Sequence, residues 1–320
     1  MNVLGIDIGG TKCALTVASV EQGQVKFLHK ESFATADFRT TLDEIISRAK
    51  ALVSGYEGMA AAGVSCGGPL DSRKGVIMSP PNLPGWDDVH IVDILETELG
   101  IPVAIQNDAN ACALAEWKFG AGRGTRNMVF MTFGTGLGAG LIIDGKLYAG
   151  TNDNAGEVGH IRLADYGPVG FGKSGSYEGF CSGGGIAQLA KAALMEKFQM
   201  GQNVSWCTKD QLDGVTAKMV AEAAAQGDET ALSIMRTSAR KMGFGISLLI
   251  DILNPEMIVL GSIYARNEAM MKPYIEEIIQ KEALGLAAKV CCVKPAALGA
   301  SLDELLSEAS QVGNQSTSIY

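Results

Sequence analysis

Two stretches of this chain repeat one pattern: an apolar run, a glycine-rich turn and a second apolar run. In the first, residues 3–8 carry Asp7 near their end and pass through Gly9-Gly10-Thr11-Lys12 into the apolar run 13–18. In the second, residues 128–132 pass through Phe133-Gly134-Thr135-Gly136-Leu137-Gly138-Ala139-Gly140 into 141–143, and Asp144-Gly145 then gives a hairpin signal. A P-loop would need GxxxxGK[ST] leading into a helix, and the first turn lacks it. Residues 134–139 fit G-x-G-x-x-G/A, but a Rossmann turn opens a helix and here a strand follows. What remains is strand, turn, strand, used twice. Glycine lets the backbone approach a ligand closely and leaves N–H groups to meet phosphate oxygens. Thr11 flanks the first turn, and Thr132 and Thr135 the second. The repeat predicts two related halves, each with a phosphate-binding hairpin.

Between the two turns lies VAIQNDANACALAE at 103–116. Its apolar start, 103–105, reads as a buried strand, and an alanine-rich helix begins at Ala109. Gln106, Asn107 and Asp108 fill the junction. An acid at the C-terminal end of a strand lies where open α/β sheets gather ligands. Asp108 suits two roles on these grounds: helix cap, or chemistry. Two glycine turns with an acid between them weigh towards chemistry.

The chain of 320 residues has room for two domains. Its net charge of −9 disfavours nucleic acid and anionic membrane as partners. Seven cysteines without CxxC or Cys/His metal spacing, and no signal peptide, point to reduced thiols in the cytoplasm. No apolar run approaches the about 20 residues of a membrane span.

Elsewhere the apolar spacing predicts an amphipathic helix at 37–54, and a strand at 60–64 leading to Cys66-Gly67-Gly68-Pro69. Residues 79–86 form a proline-rich loop in which Asn82 either sits on an ordinary surface turn or presents a fixed amide to a polar ligand. A helix at 89–99 ends at Gly100. Glu157 and His160 share a glycine-rich loop. Residues 167–185, with Glu178 and Cys181, read as an ordered loop before a helix at 185–200. Further helices are expected at 210–226, 228–253 (stopped by Asn254-Pro255), 267–281 and 301–307, with strands at 257–260 and 289–293. Gly261-Ser262 is either a plain turn or a flat seat for a ligand ring.

Asp7-Ile8-Gly9-Gly10-Thr11-Lys12, Pro81-Asn82-Leu83, Asn107-Asp108-Ala109-Asn110, Gly134-Thr135-Gly136-Leu137-Gly138, Gly156-Glu157-Val158-Gly159-His160 and Asn254-Pro255 through Leu260-Gly261 occur in this order. Together they resemble the ROK family (repressors, open reading frames, kinases) of the actin and sugar-kinase superfamily, over about residues 3–305. The resemblance implies an α/β fold of two ribonuclease-H-like, actin-like ATPase domains with a cleft between them. They would comprise 1–118, completed by a helix at 300–312, and 119–299, with a disordered tail at 313–320. It implies Asp108 as catalytic base and Asn82, Asn107, Glu157, His160 and Glu178 as sugar contacts. It implies nucleotide contacts at Asp7, Gly9, Gly10, Thr11, Lys12, Thr132, Gly134, Thr135, Gly136, Gly261 and Ser262. ATP with Mg²⁺ near Asp7, a sugar substrate and a homodimer complete the picture.

One departure stands out. Many family members carry a C-x-C-G-x-x-G-C-x-E zinc segment after the histidine. Aligned on Glu178, its three cysteine positions are Val169, Phe171 and Ser176 here, while Gly172 and Gly175 remain. The expectation is a loop without zinc, held by packing of Val169 and Phe171, with His160 left for sugar alone. The function expected is an ATP-dependent hexose kinase acting on the 6-hydroxyl of glucose or a related or N-acetylated hexose. The alternative is a sugar-binding or sugar-sensing protein without catalysis. The repressors of the family carry a helix-turn-helix ahead of the first glycine turn, and a strand starting at Val3 leaves no room for one.

Overall fold

A computed structural model of the chain describes residues 1–21 and 24–298. The helix expected at 300–312 and the tail at 313–320 lie outside the described residues. The first sheet is built from β1 (Asn2–Ile8), β2 (Lys12–Glu21), β3 (Gln24–Ala34), β4 (Met59–Cys66) and β7 (Val103–Asn107). Their order is β3-β2-β1-β4-β7. β2 runs antiparallel to β1 and β3, whereas β1, β4 and β7 are mutually parallel. The parallel strands are near-continuous apolar runs because both faces are covered. Leu4, Ile6, Ile8, Val64 and Ile105 are buried together. The helix α1 (Phe38–Gly55) starts at Asp37, whose side chain accepts from the Thr40 amide, and it buries Ile45, Ala49 and Leu52. β5 (Leu70–Asp71) and β6 (Val76–Ile77) make a small hairpin before α2 (Ile91–Leu99), which Gly100 closes at φ 67°.

The helix α3 (Asp108–Lys118) follows β7 directly. Its residues from Ala109 to Glu116 are all buried, so alanine serves close packing here as much as helix propensity. Gly140 lies close against it: a Cβ there would fall 2.5 Å from both the Ala109 carbonyl oxygen and the Ala113 Cβ.

The second sheet repeats the first. It holds β8 (Met128–Phe133), β9 (Leu137–Ile143) and β10 (Lys146–Leu147), then β13 (Met257–Leu260) and β14 (Cys292–Pro295), in the order β10-β9-β8-β13-β14. In both sheets the third strand is outermost, followed by the second, first, fourth and fifth. This is the duplication expected of two ribonuclease-H-like α/β halves. Asp144 and Gly145, at φ 51° and 73°, close the β9–β10 hairpin as its turn type demands.

The region expected as loop at 167–185 contains regular structure. β11 (Val169–Gly170) and β12 (Lys173–Ser174) pair, and α4 (Tyr177–Cys181) follows. Ser182 then caps α5 (Gly183–Gln199). The single helix expected at 210–226 is two pieces, a 3₁₀ turn at Lys209–Gly214 and α6 (Ala217–Ala225), because the Thr216 hydroxyl caps a new start. The helix α7 (Glu229–Leu253) ends at Asn254 in the left-handed region, as the Asn-Pro pair foretold. The helix expected from Asn267 begins five residues earlier: α8 (Ser262–Glu282) breaks its helical backbone at Asn267, where φ is −127°. The short α9 (Gly285–Ala288) precedes β14.

Residues 1–130 and 140–156, with 297 and 298, form one compact unit; residues 131–139 and 157–296 form another. Among the described residues no helix is long and apolar enough to cross a membrane.

Candidate active site

Within the first unit, register brings three strand ends level. Cys66 pairs with Ile8 on one side and Asn107 on the other, so the C-terminal ends of β1, β4 and β7 are level. Asn107 caps α3 through its side chain, accepting from the Ala109 amide at 3.0 Å. The cap role considered for Asp108 therefore falls to its neighbour. Asp108 is the first helical residue, exposed, and its Oδ1 accepts from the same amide at 2.7 Å. Asp7 is half-buried at the end of β1. The buried Cys66 thiol records both acids: burial pushes its pKa up, and the charges of Asp108 and then Asp7 push it further. Both carboxylates thus lie within electrostatic reach of one thiol at this strand end.

The first glycine turn is closed by the Gly9 amide donating to the Lys12 carbonyl at 3.2 Å. Thr35, which the sequence did not single out, braces it by donating from Oγ1 to the Gly9 carbonyl at 2.6 Å. Gly10, Thr11 and Lys12 are exposed. Gly10 is seated on the Asn82 backbone, and Asn82 is itself exposed. The proline-rich loop earns its rigidity from Leu83 and Trp86, both 1% exposed, with Trp86 edge-on to Phe38 at 5.2 Å. A Cβ on Gly68 would lie 3.4 Å from Asn107 Nδ2. Asp7, the first glycine turn, Asn82, Asn107 and Asp108 thus form one constellation.

Within the second unit, the Gly134 carbonyl accepts from the Gly183 amide at 2.9 Å, tying the second turn to the start of α5. Thr132 Oγ1 meets Ser262 Oγ at 3.3 Å, and the Gly261 amide donates to the Met131 carbonyl at 2.9 Å. Ser262 sits at φ 48°, a strained position for serine, where the chain swings from β13 into α8. Gly134, Thr135, Gly183, Lys218, Arg266 and Asn267 help line a cavity of about 1010 Å³. This volume is ample for a nucleotide. Of the residues expected to hold nucleotide, Gly134 and Thr135 line this cavity; the lining from α5 and α6 was not foreseen. The run Ser182-Gly183-Gly184-Gly185 at a helix start was the available signal, since such amides favour anions. Glu157 and His160 are exposed on a 3₁₀ turn, and Glu178 is half-buried on α4.

A model of the ROK family matches residues 3–303. The chain belongs to the ROK family. A glucokinase of Halalkalibacterium halodurans is 34% identical over 306 residues, 92% of this chain and 90% of that protein. A xylose repressor of Caldicellulosiruptor bescii is 29% identical over 267 residues, 82% of this chain and 65% of the repressor. The crystal structure of a ROK family glucokinase from Streptomyces griseus, in complex with glucose and AMPPNP, matches with a TM-score of 0.79 at 29% identity. It covers 98% of this chain and 100% of that one.

In this ROK chain the segment expected to lack zinc is fastened differently from expectation. Val169 and Phe171 are 46% and 76% exposed, so they do not hold the loop by packing. The Gln188 side chain pins it, accepting from the Val169 amide and donating to the Val169 carbonyl, each at 2.8 Å. Lys173 Nζ donates to the His160 carbonyl at 2.7 Å, and Phe171 lies edge-on to the His160 ring at 5.8 Å. Ser176 is fully buried and spends its hydroxyl capping α4. Valine and phenylalanine offer no metal ligand and this serine is engaged, so the residues at these positions do not fit a tetrahedral zinc.

Proposed function

We propose that this ROK protein is an ATP-dependent hexose kinase, transferring the γ-phosphoryl group to the 6-hydroxyl of glucose or of a related or N-acetylated hexose. The observation that carries the reading is the exposed Asp108 carboxylate at the head of α3, level with Asp7 and Asn107 on the strand ends. In this role Asp108 takes the hydroxyl proton as that oxygen attacks the γ-phosphorus and the bond to the ADP oxygen breaks. General-base assistance of this kind contributes roughly 10²–10⁴-fold. Asn82, Asn107, Glu157, His160 and Glu178 would hold the sugar, their amides and carboxylates each able to meet two vicinal hydroxyls. The first turn, Gly9–Lys12, and the second, with Thr132, Gly134, Thr135 and Gly136, would hold the phosphates. Gly261 and Ser262 would flank the adenosine. Mg²⁺, held by Asp7, would supply charge neutralisation on the phosphates. The glucokinase relatives support the reading. It includes the cytoplasmic location that the unpaired cysteine spacing points to and the homodimer that the family resemblance implies.

A second reading, a sugar-sensing protein without catalysis, is favoured by the xylose repressor relative. One assay separates the two. ADP release is followed with glucose, N-acetylmannosamine, N-acetylglucosamine, allose and fructose, for the wild type and for Asp108→Asn. The asparagine keeps an oxygen for the Ala109 amide, so the fold is retained. The expected result is turnover on at least one sugar, reduced roughly 10²–10⁴-fold in the variant. Tight sugar binding with no turnover on any hexose selects the second reading.

A further inference from the structure

Glu178 is more than one wall of a sugar site. Its Oε2 accepts from the Leu137 amide at 3.0 Å, and Leu137 is the residue that ends the second glycine turn. Around this bond the chain is stripped of side chains. A Cβ on Gly136 would stand 2.9 Å from Oε2. A Cβ on Gly159 would stand 2.3 Å from the Leu137 carbonyl oxygen and 3.3 Å from Glu178 Cβ. A Cβ on Gly170 would stand 2.7 Å from Glu178 Cβ. Three turns therefore close on one side chain: the glycine turn on its carboxylate, and the turn bearing Glu157 and His160 and the hairpin before α4 on its Cβ. Oε1 has no protein hydrogen-bond partner among the described residues and is the oxygen left for a ligand.

We infer that Glu178 is a positioning residue for the nucleotide turn, one oxygen fixing the Leu137 amide while the other receives sugar. The inference rests on the kinase reading for its sugar half. Its turn half stands on the hydrogen bond alone and is measurable with no sugar present. Because both ligands bear on one rigid carboxylate, their affinities are linked, and reciprocally so. A residue that only touched sugar would leave sugar-free nucleotide binding unchanged.

The test titrates AMPPNP with Mg²⁺ into sugar-free wild type, Glu178→Ala and Glu178→Gln, and titrates glucose into the same proteins. Glutamine keeps a carbonyl oxygen for Leu137 but loses the charge; alanine loses both. The expected result is AMPPNP binding weakened about tenfold or more in Glu178→Ala, the loss of a charge-assisted hydrogen bond, and restored to within about twofold of wild type in Glu178→Gln. Glucose binding should fall in both variants. Circular dichroism keeps the comparison among folded proteins. If Glu178→Ala proves unfolded, Glu178→Asp, whose shorter side chain draws the carboxylate back from the Leu137 amide, should weaken AMPPNP likewise. Wild-type AMPPNP affinity in folded Glu178→Ala, or in Glu178→Asp, overturns the inference while leaving the kinase reading intact. A wild type that neither binds AMPPNP nor phosphorylates any hexose overturns both.

Discussion

Gly10 rests on the backbone of Asn82: a Cβ at position 10 would lie 2.3 Å from the Asn82 carbonyl oxygen and 2.9 Å from its Cβ. A turn proposed for phosphate is thus in contact with a residue proposed for sugar. Neither side yields easily, because buried Leu83 and Trp86 pin the loop and Thr35 braces the turn. Gly10→Ala must displace one of them. The expected outcome is a folded protein, destabilised by about 1–3 kcal/mol as overpacked sites are, in which KM for both sugar and ATP rises. Steady-state kinetics with a thermal melt reads this, and unchanged KM values for both substrates would contradict the contact.

The loop without cysteines gives the second prediction. Gln188 makes two hydrogen bonds to Val169, each worth about 0.5–1.5 kcal/mol net. Gln188→Ala should raise sugar KM severalfold with kcat nearly kept, and should speed protease cleavage within residues 164–175. Metal analysis of the wild type should find far less than one zinc per chain, and EDTA should leave the melting temperature in place. Stoichiometric zinc would show that Val169, Phe171 and Ser176 have been misjudged.

The thiols allow a third. Cys292 is exposed and Cys291 is half-buried, with its pKa pushed up to about 12 by burial and by its neighbour. Cys13, Cys66, Cys112, Cys181 and Cys207 are buried. A raised pKa leaves less thiolate at pH 8, so iodoacetamide should mark Cys292 first, Cys291 slowly and the rest only on unfolding. Peptide mass spectrometry orders the sites. Cys66 reacting as fast as Cys292 would mean that the strand end between Asp7 and Asp108 is open.

The strands that sequence exposed were those buried on both faces, such as β1, β4 and β8, whose apolar runs cannot be mistaken. β3 was missed because no residue in it is fully buried: an edge strand from Gln24 to Ala34 is held by the hydrogen bonds of β2 and carries little hydrophobic signal. The glycine turns were legible because glycine there answers a local steric demand. Asn107 and Asp108 were legible as a pair but not in their division of labour, since both are good caps and only the backbone dihedrals separate them. The hold on the loop at Val169 was invisible, because Gln188 lies 19 residues away and its side chain bonds the backbone, which no spacing rule foresees. The same is true of the bond from Glu178 to Leu137.

Glu116 gives the last prediction. Its carboxylate is fully buried near the end of α3 and accepts two backbone amides: Ala121 on Oε2 at 2.7 Å and Leu298 on Oε1 at 2.9 Å. A Cβ on Gly120 would fall 2.1 Å from Oε2, so the chain bends around this side chain. Leu298 is 182 residues away in sequence, which makes Glu116 the tie between α3 and the distant end of the described chain. Glu116→Gln should be worse than its shape suggests. Its amide group can offer one oxygen, so one N–H of the side chain must face a backbone N–H, leaving donors unpaired at about 1–3 kcal/mol. Glu116→Ala adds a cavity to both lost bonds and should cost more. Thermal melts should therefore rank wild type above glutamine above alanine. Asp108 sits two turns away on the same helix, so turnover per folded molecule should fall less than stability does. Glutamine and wild type melting together would mean that the carboxylate does not hold those two amides.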